Sequence, residues 1–180
     1  MARTRVLYVH HRADLGGAPR SLAELIAHLD DRWEPHVYVP AGRSAELFAR
    51  AGARVHTGPV AMFGHSWDNP YTGARWLLLG REAARLPAQL ARFESLLRRY
   101  RFPLVHLNEA QLLPAAALAK RSGARVVWHL RSSLAADGPA RRRLVLGAIN
   151  RWADAAIAID EDVAASFPLR VPKHVVFNSV

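Results

Sequence analysis

Polar and ionisable side chains come directly after several short apolar runs of this sequence. They are His10, Asn108, Glu109, His129 and Arg131, which follow or end the runs near residues 6–9, 104–107 and 126–128. Imidazole can take up or release a proton near neutral pH, and guanidinium and amide groups bind phosphate or hydroxyl oxygens. For His129, Asn108, Glu109 and Arg131 these residue types predict a substrate-binding or proton-transfer site, with a hydrogen-bonded structural role for His129 as the alternative.

A glycine pair, Gly16 and Gly17, opens the apolar pattern of residues 18–29. Glycine lets a ligand approach the backbone closely, and the first N–H groups of a helix favour a phosphate. A tight turn that requires glycine is the alternative. The spacing differs from G-x-G-x-x-G, and the lysine of a P-loop is missing. The pair therefore predicts a phosphate or substrate contact and no dinucleotide cofactor.

Several kinds of chemistry are excluded by residues that the sequence lacks. It contains no cysteine, which excludes disulfides, thiolate metal sites and a cysteine nucleophile. It has no G-x-S-x-G elbow for a serine nucleophile. His10, His11, His106 and His129 could meet at one rim, but no pair has the i, i+4 spacing of a helical metal site and no acidic residue is patterned with them. We therefore expect neither a metal nor another cofactor.

The elements that must position these residues alternate along the chain. Strand-like runs occupy residues 6–9, 37–39, 104–107 and 126–128, with weaker candidates at 153–159 and 175–177, and helical patterns occupy residues 18–29, 44–51, 110–120 and 141–152. Alternating strands and helices are typical of right-handed βαβ units. We therefore predict a single α/β domain with a Rossmann-like, doubly wound parallel sheet, in which ligands bind beyond the carboxyl ends of the strands.

The net charge of +10 is concentrated in residues 73–101 and 120–143. Within the first segment, apolar residues between Trp76 and Leu97 recur at three-four spacing, which predicts one helix or two helices broken near Pro87. Its apolar stripe faces either the core or an anionic membrane surface. The aromatic interleaving typical of single-strand binding is absent, so we expect no nucleic-acid partner.

The order of the motifs resembles the retaining glycosyltransferases of family four, which have the two-domain GT-B fold. The matching segments are residues 10–22 (glycine-glycine loop and first helix), 104–108 (fourth strand), 126–129 (histidine-ended fifth strand), 153–165 (strand and short helix) and 175–180 (domain-closing segment). Asp160 stands where the family commonly has serine, and Ser179 where it has glycine. The resemblance identifies residues 1–180 as the N-terminal domain, with the donor-binding domain absent from this chain.

The resemblance implies transfer of a sugar from a nucleotide sugar, with retention, to a glycan or lipid-linked acceptor. The donor would be held mostly by the missing domain, so the isolated chain is expected to be inactive. His129 would lie near the transferred sugar as the catalytic residue, and Gly16 and Gly17 near the donor phosphates or the acceptor. Asn108, Glu109 and Arg131 are added as substrate-binding residues because of their positions after strands.

Two other functions remain open at this point. A nucleotide-sugar epimerase or phosphorylase of the same architecture would share this half of the molecule. A non-enzymatic module that binds anionic lipid through the two basic segments belongs to a different class. The expected location is the cytoplasm, with peripheral attachment to the inner face of the membrane as an option.

Overall fold

The part of the chain that the structure describes forms a seven-stranded, entirely parallel sheet flanked by six helices. A computed structural model describes residues 3–62, 76–134 and 139–177. The strands are β1 (Thr4–Val9), β2 (Trp33–Val39), β3 (Arg54–Thr57), β4 (Leu104–Leu107), β5 (Arg125–Leu130), β6 (Ala155–Ala158) and β7 (Lys173–Val175). The helices are α1 (Gly17–Ala27), α2 (Arg43–Arg50), α3 (Trp76–Tyr100), α4 (Leu113–Arg121), α5 (Pro139–Trp152) and α6 (Glu161–Ser166).

The order of the strands is β3-β2-β1-β4-β5-β6-β7. From β1 the chain adds β2 and then β3 on one side. It then returns to place β4 on the other side of β1, where Val9 lies opposite Leu107. The predicted doubly wound α/β fold is confirmed. Its point of reversal lies between β1 and β4, and in open sheets of this kind that is where ligands bind.

Alternate residues of β1 face two separate hydrophobic layers. Leu7 and Val9 belong to the layer that also contains residues of α3, α4 and α5. Val6 and Tyr8 belong to the other layer, with Leu22 of α1 and residues of α2. Helices cover both faces of the sheet, which explains why residues 6–9 of β1 are a continuous apolar run without polar alternation.

The apolar stripe, for which one helix or two helices were predicted, forms the single helix α3, and this helix continues through Pro87. In its second half, Phe93 and Leu97 are buried in the core, whereas Arg92 and Arg98 are exposed. This half of the stripe therefore packs on the sheet and does not face a membrane. Residues 73–75 of the basic segment and the side chain of Trp76, at the start of the stripe, lie outside the described residues.

The sequence analysis missed the edge strand β3, which contains only one aliphatic residue. A partly buried contact between two histidines links β3 to β2, and a glutamate of β2 extends it. His36 Nδ1 lies 2.9 Å from His56 Nε2, and His36 Nε2 lies 3.0 Å from Glu34 Oε1. The rings of Tyr100 and Phe102 pack edge-on against His36. Side-chain contacts to distant parts of the chain, rather than local hydrophobicity, thus define this strand.

The loop between β1 and α1 is held in place by the N-terminus of α2. Ser44 N donates to Ala13 O at 2.8 Å, and Ser44 Oγ donates to Asp14 O at 2.6 Å. Gly42 precedes α2 with φ 151° and ψ −166°, a conformation available almost only to glycine. A Cβ atom at Gly42 would lie 2.8 Å from Ala13 Cβ and 2.9 Å from Ala13 O. This glycine therefore allows the close approach that fixes the loop.

We predict that Gly42→Ala destabilises the fold, because it combines an unfavourable backbone conformation with a clash against Ala13. The expected loss of unfolding free energy is about 1–3 kcal/mol. Gly147→Ala, in helix α5, is the matched control. A Cβ atom at this position would meet nothing within 4 Å, and alanine favours the helical conformation more than glycine does. Urea unfolding of the two variants measures the difference, and equal stabilities would contradict the prediction.

Candidate functional site

Side chains from three strand ends converge at the point where the winding of the sheet reverses. His10 follows β1, Asn108 follows β4, and His129 and Arg131 lie at the end of β5. His10 and Asn108 are fully buried, and His129 is 5% exposed. These residues and His106 of β4 form what we call the rim cluster. The parallel arrangement brings them together because the carboxyl ends of all strands lie at one edge.

The Arg131 guanidinium joins the members of the rim cluster. Arg131 Nε donates to Asn108 Oδ1 at 2.5 Å, and Arg131 Nη2 lies 3.4 Å from His129 Nδ1. Asn108 Nδ2 lies 3.0 Å from His10 Nδ1. A single chain of polar contacts therefore runs from β5 through the end of β4 to the end of β1.

A second contact links His129 to His106 on the neighbouring strand. Their Nδ1 and Nε2 atoms, respectively, are 3.2 Å apart. The ring of Tyr8 packs on His106 with a centroid distance of 5.1 Å. His106 of β4 therefore holds the His129 ring in place from the neighbouring strand. His106 itself is only 6% exposed.

The three histidines of the rim cluster are held in their neutral forms. Burial, together with the nearby Arg131 charge, lowers the pKa of His10 and of His106 to about 3 and that of His129 to about 2. His11 and Arg12 contribute in the same direction at His10. Two buried ring nitrogens, His10 Nε2 and His129 Nε2, have no hydrogen-bond partner within the described ranges. Buried polar atoms are normally satisfied, so unpartnered ones indicate a place for a water molecule or a ligand.

Glu109 is the counter-charge of Arg131. Burial lowers the pKa of Arg131 to about 10, and the Glu109 charge acts against this shift. Burial also raises the pKa of Glu109, while the Ala110 N–H and the Ser132 hydroxyl act to lower it. Glu109 Oε1 accepts from Ala110 N at 2.7 Å, and Trp128 Nε1 donates to the Glu109 carbonyl at 2.8 Å. Glu109 is therefore tied to the backbone at the rim.

Gly16 and Gly17 lie where the sequence predicts them, at the start of α1. Gly16 is the residue before the helix and has an extended backbone with φ −160°, which any residue can adopt. A Cβ atom on Gly17 would meet nothing within 4 Å, and one on Gly16 would lie 4.0 Å from Pro19 Cδ. Neither a left-handed turn nor crowding within the described residues requires glycine here. A ligand contact at this pair stays a prediction.

The remaining expectations concern metal and membrane binding. Within residues 3–62, 76–134 and 139–177, no group of three or more histidine, aspartate or glutamate side chains is arranged to hold a metal ion. Among the described helices, none is both long and apolar enough to span a bilayer. A peripheral membrane contact stays a prediction.

Sequence reasoning identified the positions of the rim residues but not their connections. It considered a specific role for His10 and His106 only in a metal site, and it gave Asn108 and Arg131 separate substrate contacts. The available signal was that all four lie at or beside the carboxyl ends of adjacent strands. The residue roles of Gly16, Gly17, His129 and Glu109 remain predictions.

Residues 16–177 match the family described as a glycosyl transferase 4-like domain. The chain belongs to this family. The resemblance inferred from the motif order is thereby confirmed across nearly the whole sequence. No curated protein matches the chain.

Solved structures confirm the GT-B-like fold of this domain. HepE of Anabaena, in complex with UDP and glucose, superposes with a TM-score of 0.73 at 19% identity, covering 99% of this chain and 45% of HepE. MurG of Acinetobacter baumannii gives 0.59 at 11% identity, covering 98% and 46%. A UDP-N-acetylglucosamine 2-epimerase gives 0.59 at 11% identity, covering 92% and 44%. This chain therefore spans less than half the length of these proteins.

We predict that stability falls in mild acid because the rim histidines are buried uncharged. In the unfolded chain they bind protons below about pH 6.5, whereas in the folded chain they do so only near pH 3 or below. The stability that depends on these rings being neutral is fully present above pH 6.5 and is lost as the pH falls from there towards 3. Within this range the free energy of unfolding falls by about 1.4 kcal/mol per pH unit for each histidine.

Urea unfolding at pH 7.5, 6.0 and 5.0 measures this loss. The window lies above the range in which most carboxylates titrate, so the histidines dominate it. An unfolding free energy that stays constant between pH 7.5 and 5.0 would contradict the assignment of neutral, buried rings.

Proposed function

We propose that residues 1–180 form the acceptor-side, N-terminal domain of a retaining glycosyltransferase. The complete protein would transfer a sugar from a nucleotide sugar to a glycan or lipid-linked acceptor, in a cleft between this domain and a second one. Family membership supports this proposal. The observation that carries it is His129 Nε2, a buried polar atom with no partner in the described part of the chain, at the ligand-binding edge of the sheet.

The rim cluster suits the recognition of a neutral, hydroxyl-rich group such as a sugar. Its histidines are uncharged at neutral pH, and a hydrogen bond to a hydroxyl group needs no charge on the protein. A donor or acceptor fixed in a dry site stabilises a transition state without reorganisation during the reaction. We assign His129 the role of a catalytic residue that contacts the transferred sugar.

The N-terminus of α1 suits a phosphate of the nucleotide sugar or an anionic acceptor. Helix N-termini present unpaired N–H groups and the positive end of the helix dipole. The first turn of α1 contains no acidic residue, and its cap has no side-chain hydrogen bond. Open space beside Gly17 would allow a ligand to reach these N–H groups.

An epimerase of nucleotide sugars is the second candidate. A UDP-N-acetylglucosamine 2-epimerase shares the fold of this domain. The two functions differ in whether the sugar leaves the nucleotide for an acceptor or is inverted at one carbon. Family membership favours transfer, and product analysis of the complete protein distinguishes transferred sugar from an epimer.

We predict that His129→Ala lowers kcat of the complete protein by about 10²-fold, the usual effect of removing one donor to a transition state. His129→Gln is the matched variant, because its amide N–H can occupy a position near that of Nε2–H. It should retain more activity than His129→Ala. The assay follows release of the nucleotide from the donor, with circular dichroism to check the fold, and equal activity of wild type and His129→Ala would contradict the role.

We predict that residues 1–180 alone show no sugar transfer, because one wall of a cleft cannot exclude water from the reacting groups. Activity should appear when the second domain is present, either fused or added separately. Steady transfer by residues 1–180 alone would place the chemistry outside an interdomain cleft.

We predict that Gly17→Val weakens binding of inorganic phosphate or UDP to residues 1–180 and leaves the melting temperature nearly unchanged. The added side chain enters the open space beside the first N–H groups of α1, where it would obstruct an anion. Calorimetric titration measures the affinity, and Gly147→Ala serves as a control remote from the rim. Reduced stability with unchanged affinity would show that the glycines serve the turn alone.

A further inference from the structure

The contact between Arg131 and Asn108 determines how the asparagine amide is oriented. A guanidinium N–H only donates, so the Asn108 atom 2.5 Å from Arg131 Nε must be the amide oxygen. The amide nitrogen therefore points the other way, towards His10. Arg131, which follows β5, thus acts on a residue after β1 through a residue after β4.

The oriented amide fixes the proton of His10. Asn108 Nδ2 also only donates, and it lies 3.0 Å from His10 Nδ1. His10 Nδ1 must then accept with its lone pair. In a neutral imidazole one nitrogen carries the proton and the other the lone pair, so the proton of His10 lies on Nε2.

The same guanidinium acts directly on His129. Arg131 Nη2 lies 3.4 Å from His129 Nδ1 and approaches it with N–H groups and positive charge. A proton on Nδ1 would face this charge, whereas a lone pair is attracted to it. The proton of His129 is therefore expected on Nε2, with Nδ1 also available to the His106 ring at 3.2 Å.

We propose that Arg131 is a positioning residue that sets the tautomers of His10 and His129, so that both rings present an Nε2–H donor to oxygen atoms of a bound substrate. Both Nε2 atoms are buried and lack partners within the residues the structure describes. The identification of that substrate as a sugar rests on the proposed function, whereas the tautomers do not. His10 thereby becomes a further substrate-binding residue beside His129.

The strand arrangement gives the two donors different positions at the rim. One strand, β4, separates β1 from β5, and neighbouring strands lie about 4.8 Å apart. The backbones that carry His10 and His129 are thus about 10 Å apart. This spacing suits contacts to different oxygens of one extended ligand, or to donor and acceptor separately.

Nuclear magnetic resonance tests the proposal directly. Long-range ¹H–¹⁵N correlation of the histidine rings at pH 7.5 distinguishes Nε2–H from Nδ1–H, and the low pKa values of His10 and His129 keep both rings neutral there. The expected spectrum of residues 1–180 shows Nε2–H for both. An Nδ1–H form at either ring would overturn the proposal.

Asn108→Asp is the decisive variant, because it keeps the shape of the side chain and replaces the amide N–H that donates to His10 Nδ1. A carboxylate accepts only, so His10 should change to the Nδ1–H form while His129 stays Nε2–H. An unchanged His10 in this variant would show that Asn108 does not set the tautomer.

Arg131→Lys tests the central residue while keeping a positive charge. An ammonium group lacks the planar fork that reaches Asn108 and His129 together, so at least one ring should lose its single tautomer. If both rings remain fully Nε2–H in a folded Arg131→Lys protein, the role of Arg131 is wrong. Since no measurement here uses a substrate, failure of the proposal differs from failure of the glycosyltransferase assignment.

Discussion

The polar rim of this domain depends on one half-buried guanidinium at the point where the sheet reverses its winding. Removing a cation from water is costly unless charge and hydrogen bonds compensate for it. Arg131 receives this compensation from the Glu109 charge, the Asn108 amide oxygen and the lone-pair side of His129. Each of these groups is therefore constrained in position by the same requirement.

The neutral histidines follow from that arrangement. Desolvation is the largest cause of their low pKa values, and the Arg131 charge adds to it at His10, His106 and His129. Rings in this state are poor proton acceptors at neutral pH, since an effective general base has a pKa near the working pH. The rim thus offers fixed dipoles, and under the proposed function a proton acceptor would be a group other than these three histidines.

The sequence was sufficient for the fold because strand-like and helical patterns alternate along it, and because β1 is apolar on both faces, as residues 6–9 show. It failed at β3, whose pairing depends on the distant contacts of His36 and Tyr100. It placed His129 and Arg131 at the rim because parallel strands end at one edge. It could not reveal that Arg131 reaches Asn108, since such a contact depends on strand register and side-chain rotamers that no local pattern encodes.

The state of Arg131 also bears on where an anion would bind in this half of the molecule. Its guanidinium already interacts with Asn108, His129 and Glu109, so binding a phosphate would require it to compete with these contacts. The start of α1 carries no acidic residue in its first turn and has open space beside Gly17. Phosphate recognition is therefore better suited to the helix terminus and hydroxyl recognition to the histidines. This separation would allow one rim to hold both a charged and an uncharged part of its ligands.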